Sequence, residues 1–188
     1  MIDNITYQNQ LIAVIVSHKF SKPGIHFFTP DELSQQLGYM HHPTGKIIPP
    51  HVHNRVSREV QYTQEVLFIR KGKLRVDFYN DQQQYLESRI LEDGDTIMLV
   101  TGGHGFEVLE EIEMIEVKQG PYLGEQDKTR FVGITAEQVK VIEFSNINSG
   151  SVGMIKKPQK PREYKIRGKR NNSGVNRFDI SYESDSSK

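Results

Sequence analysis

The chain has 188 residues, 36% of them apolar, with no cysteine, a length that suits one domain with an appendage and a composition that excludes disulfides and thiolate metal sites. Its zero net charge is unevenly spread: residues 1–155 carry 14 Lys and Arg against 20 Asp and Glu, and residues 156–188 carry 10 against 4. The acidic body argues against nucleic acid as the main ligand, and the basic end marks a separate tail.

Met1–Gln10 is polar and lacks a signal-peptide pattern, so a cytoplasmic protein is expected. The longest apolar run, LIAVIV at 11–16, is too short to cross a bilayer and reads as a buried strand. TPDE at 29–32 sets Thr29 as a helix N-cap, Pro30 at the first helical position and Glu32 in a capping box, with Gly38 as the stop. Beyond it, EVLFI at 65–69 predicts a strand buried on both faces, followed by a KGK turn at 71–73 and the strand LRVDFY. YLESRIL, TIMLV, FEVL and EMIEV complete the strands, separated by NDQ, EDGD and GGHG. TAEQV at 135–139 predicts a second short helix capped by Thr135. Residues 146–188, rich in Asn, Ser, Gly, Lys and Pro, read as a largely disordered basic tail, with FDISY at 178–182 a weak strand candidate. The stretch 156–177 could touch phosphates but has no aromatic ladder, so it reads as solvated linker.

The chemistry centres on GKIIPPHVH at 45–53. Pro49 and Pro50 forbid a helix there, and in extended chain His51 and His53 share one side. Two imidazoles rarely suffice, because a tight first-row site takes three or four donors. Glu65, at the start of EVLFI, and His104, inside GGHG, are the other candidates. Taken singly, each has an ordinary reading: a solvated histidine pair, a surface glutamate and a flexible turn.

In this order and spacing the residues resemble the cupin superfamily. Its first motif is matched by Gly45, five residues, His51-Val52-His53, then Glu65, six residues and Gly72; its second by Gly94, five residues, Val100-Thr101-Gly102 and His104. Two departures are the eleven residues between His53 and Glu65, which leave Glu59 as a rival carboxylate, and Val100 where the motif has proline. The resemblance implies an all-β fold, a double-stranded β-helix or jelly-roll barrel with one or two short helices. It divides the chain into a lead-in at 1–40, the barrel at 41–145 and the tail at 146–188. It also implies one divalent metal, Fe, Mn, Zn or Ni, held by His51, His53, Glu65 and His104.

A wider resemblance over roughly 5–131 is to bacterial cupins found among surface-polysaccharide and sugar-nucleotide genes. It implies a sugar derivative as ligand and a metal-dependent isomerase or epimerase, with Glu59 as base. Gln61, Tyr62, Lys118 and Arg130 are the candidate substrate contacts. An Fe(II) dioxygenase and a non-catalytic sugar- or metal-binding module are the alternatives. No membrane partner is expected. A homodimer is, with LIAVIV as its pairing strand.

Overall fold

The computed structural model describes residues 1–144 and, beyond them, the backbone of two strands, Ile166–Arg170 and Asn176–Ile180. Met1–Asn146 and Ile147–Lys188 form separate compact units.

The first unit starts with a hairpin. β1 (Ile2–Tyr7) and β2 (Gln10–Val16) are joined by Gln8 and Asn9, both at positive φ, the two-residue turn whose twist suits paired strands. β2 then pairs with β7 (Thr96–Leu99), so both its edges are used within the chain. Ile12 to Val16 are all buried, as the unbroken apolar run predicts. The expectation that this strand pairs two copies is corrected: its hydrogen-bonding groups are already spent on β1 and β7.

β3 (Gly24–Phe27) and β4 (Gly38–His41) form a separate hairpin. The helix expected from Thr29 is absent, because residues 28–37 are the loop of that hairpin. Thr29 Oγ1 accepts from Leu37 N at 3.2 Å and donates to Gln36 Oε1 at 2.9 Å, closing the loop rather than capping a helix. Gly38 stops no helix either. It lets the backbone pass the Phe27 ring, which an added Cβ would meet at 2.8 Å.

β5 (Glu65–Tyr79) is the spine of the main sheet. One edge pairs first with β7 and then with β6 (Tyr85–Leu91); the whole other edge pairs with β8 (Gly103–Lys118). The result is a curled antiparallel sheet in the order β1-β2-β7-β5-β6, with β8 along β5. KGK is not a turn between two strands but a bulge within one. Leu67 and Ile69 are buried before it, Leu74, Val76 and Phe78 after it. The parity changes from odd to even, so the irregularity at 69–74 keeps one face inward on both sides. Gly72 makes it feasible, with φ +94 and its Cβ position only 2.0 Å from Glu111 O. EVLFI is buried on one face only, since Phe68 is 41% exposed.

Among the described residues the helical content is two 3-10 turns, Gly124–Asp127 and Ala136–Gln138. In the second, Gln138 Oε1 accepts from Thr135 N at 3.0 Å, so the expected helix is a single capped turn. No helix among the described residues is long and apolar enough to cross a membrane. Most of 146–188, with its expected disorder, lies outside the described residues. The strand expected near FDISY is Asn176–Ile180, paired antiparallel with Ile166–Arg170.

Candidate functional site

Glu65 opens β5 and His104 stands near the start of β8. In the β5–β8 ladder Glu65 faces Lys118, whereas His104 faces Phe78, thirteen residues further along β5. A straight ladder would hold Glu65 and His104 about 40 Å apart. Instead His104 Nε2 lies 3.2 Å from Glu65 Oε2. The two strands must therefore curl until their ends meet, and the connection from Leu99 to Gly103 crosses the opening.

Lys118 completes a trio, its Nζ 3.6 Å from Glu65 Oε1 and 2.9 Å from Glu116 Oε1. The His104 imidazole, the largest influence, and the Lys118 ammonium hold the Glu65 carboxyl below the ordinary 4.5 against the opposing effect of burial. Glu65 is therefore a carboxylate at neutral pH. An anion beside Nε2 keeps the ring proton there and leaves Nδ1 as the basic nitrogen.

These side chains line an open cavity of about 1010 Å³ between β5, β8 and the segment 122–134. The expected contacts Gln61, Tyr62, Lys118 and Arg130 all line it. Arg130 Nη2 is paired with Glu125 Oε1 at 3.1 Å, and Lys118 Nζ sits 5.6 Å from the Tyr122 ring centroid. Gln119, just outside, anchors the entrance by accepting Gln64 N at 2.7 Å.

The sequence reading missed a second polar wall. Asp77, 6% exposed, accepts from Arg75 Nε at 2.8 Å, from Arg75 Nη2 at 3.1 Å and from Ser88 Oγ. Tyr85 OH lies 2.7 Å from Ser88 Oγ and accepts from Lys140 N at 2.8 Å. Tyr79 OH accepts from Ile134 N at 3.2 Å, and its ring packs edge-on against Phe131. The signal was present in LRVDFY, whose odd positions Arg75, Asp77 and Tyr79 share the face opposite the core.

His51 and His53 stand elsewhere. They lie in the exposed, irregular segment between β4 and β5, their rings 5.2 Å apart. His51 Nδ1 donates to Pro49 O at 3.0 Å, which leaves Nε2 free. Between His41 and Glu65 the chain forms no strand. Glu59, expected as base, is exposed and its nearest polar partner is Gln61 Nε2 at 3.5 Å.

Among the described residues no three His, Asp or Glu side chains gather as a metal would need. The four expected ligands form two pairs, and neither pair alone supplies the three or four donors of a tight site. As placed, they do not fit a resident ion.

Compared with known proteins, the chain matches no family model, no curated sequence and no solved structure.

Proposed function

We propose that this is a barrel of the cupin type, a double-stranded β-helix, that binds a sugar derivative and moves a proton on it, as an isomerase or epimerase does. The observation that carries the reading is the contact between Glu65 and His104 inside a polar cavity. A buried-side carboxylate holding one nitrogen of an imidazole, with the other free, is the arrangement of a general base. In this reading His104 Nδ1 takes a proton from carbon or hydroxyl, Glu65 stabilises the imidazolium, and His104 returns the proton to a neighbouring position. Lys118 balances the developing negative charge on oxygen. Gln61, Tyr62, Tyr122 and Arg130 supply the hydroxyl- and anion-binding contacts.

A second reading keeps the divalent ion. It is favoured by the free Nε2 of His51 beside the His53 ring, and it requires the two donor pairs to converge. No step is assigned to the ion here.

The test is incubation in D₂O with a panel of nucleotide sugars, followed by NMR. Deuterium washed into one carbon position, lost in His104→Gln while binding persists, supports proton transfer. Binding with no exchange would make this a non-catalytic module, and substrate-dependent O₂ uptake would make it an oxygenase. Mn²⁺ and Zn²⁺ titrations of the wild type and of His51→Ala decide the second reading.

A further inference from the structure

The cavity is lined by six Asp and Glu and four Lys and Arg. What these charges can offer a ligand depends on how many are already spent. Arg75 is held by two carboxylates, its Nε by Asp77 Oδ1 at 2.8 Å and its Nη1 by Glu107. Lys118 is likewise held by two, Glu65 and Glu116. Arg130 keeps Glu125. Among the described residues Lys128 is the one lining cation outside an ion pair. It is outnumbered by Asp81 and Asp127, lining carboxylates whose hydrogen bonds come from Gln10 Nε2 at 3.4 Å and Leu123 N at 3.3 Å.

A nucleoside diphosphate brings two negative charges. With one cation to spare against these two carboxylates, the cavity could hold them only by breaking ion pairs. Each carboxylate so released would stay in the same cleft, where low-dielectric walls strengthen repulsion.

The rest of the lining suits an uncharged ring. Gln61, Thr63 and Thr129 carry neutral donors and acceptors, and Tyr62, Phe106 and Tyr122 are 56%, 40% and 69% exposed. Tyr79 and Phe131, by contrast, spend their rings on each other, with centroids 5.0 Å apart. A pyranose has C–H groups on one face and hydroxyls around its edge. The C–H face is attracted to the negative face of an aromatic ring, and the hydroxyls to amide and hydroxyl side chains. Phe106 also lies against His104, ring centroids 5.1 Å apart, which sets this apolar surface beside the imidazole.

We infer that the cavity takes an uncharged, unphosphorylated sugar and discriminates against sugar nucleotides. The inference rests on the proposed reading that the cavity binds a sugar derivative, and it makes Glu125, within the chain, the anion that Arg130 holds.

The experiment is NMR titration of the full chain with methyl pyranosides, each matched to the nucleoside-diphosphate form of the same sugar, at low and high salt. At low salt at least one methyl pyranoside should bind about tenfold more tightly than its nucleotide form, and high salt should narrow the gap by screening the repulsion. Glu125→Gln releases Arg130, and because that pair is 70% and 72% exposed the fold does not depend on it. The variant should tighten nucleotide-sugar binding about threefold and leave the methyl pyranoside unchanged. A nucleotide sugar bound more tightly than its methyl pyranoside would overturn the inference and leave the proposed reading standing. A panel in which neither form binds would overturn both. A preference for the neutral form that neither salt nor Glu125→Gln alters would trace to size instead of charge, and would also overturn the inference.

Discussion

Replacing Glu65 by Gln keeps the shape of the site and removes its charge. Glu65 and His104 are 20% and 31% exposed at the side chain and stand 3.2 Å apart. A charge-assisted contact is worth about 1.5–3 kcal/mol when well enclosed, and partial exposure brings the pair down to about 1 kcal/mol. With a urea slope of about 2 kcal/mol/M, the unfolding midpoint at pH 7 should fall by about 0.5 M. The sign with pH follows from the direction of the shift. Because the folded carboxyl lies below 4.5, its stabilisation is complete above that value and is lost as pH falls through the folded pKa. Urea melts of the wild type and Glu65→Gln should therefore differ at pH 7 and differ less at pH 3, the gap narrowing as pH falls through the folded pKa. An equal gap at both values, or none at pH 7, would refute the view that an ionised Glu65 is held by its neighbours.

Other substitutions test the frame around the site. Phe78→Ala empties the largest fully buried side chain and should cost about 3–5 kcal/mol in urea unfolding. Gly72→Ala should cost more than about 1 kcal/mol, since strain at φ +94 adds to a backbone clash. Gly45→Ala, at φ +82 with nothing within 4 Å, should lose only the conformational part and prove the milder of the two by thermal melt. Asp77→Ala leaves the Arg75 guanidinium, 13% exposed, with Glu107 as its remaining partner and should destabilise by about 1.5–3 kcal/mol, against about 1–2 kcal/mol for Ser88→Ala.

Strand positions were legible where hydrophobicity was strong. LIAVIV and TIMLV are buried strands because their apolar runs admit nothing else at that length. The helix at Thr29 was misread because capping residues also close loops. Thr29 spends its hydroxyl on Gln36 and Leu37 across the loop, and the pairing of Gly24–Phe27 with Gly38–His41 fixes both ends of the segment. Local capping chemistry is worth about 1 kcal/mol, and a strand pair formed across the loop outweighs it.

The site was legible in part for a different reason. Glu65 and His104 were singled out by residue type and spacing, and they do meet, yet the bend that brings them together was invisible. KGK reads as a turn because Gly between lysines is ordinary turn chemistry. In the fold the same glycine sits where β5 nearly touches Glu111 of β8, and one continuous strand changes phase there. A turn at 71–73 would make 65–69 and 74–79 antiparallel neighbours; a bulge instead lets β5 and β8 curl together as one ribbon. Only the second geometry closes the ends, so the Glu65–His104 contact depends on Gly72, 32 residues before the imidazole it helps to place. His51 and His53 lack any such constraint. Pro49 and Pro50 set their local direction, but nothing among the described residues fixes where that direction leads, which is why their spacing could be read and their destination could not.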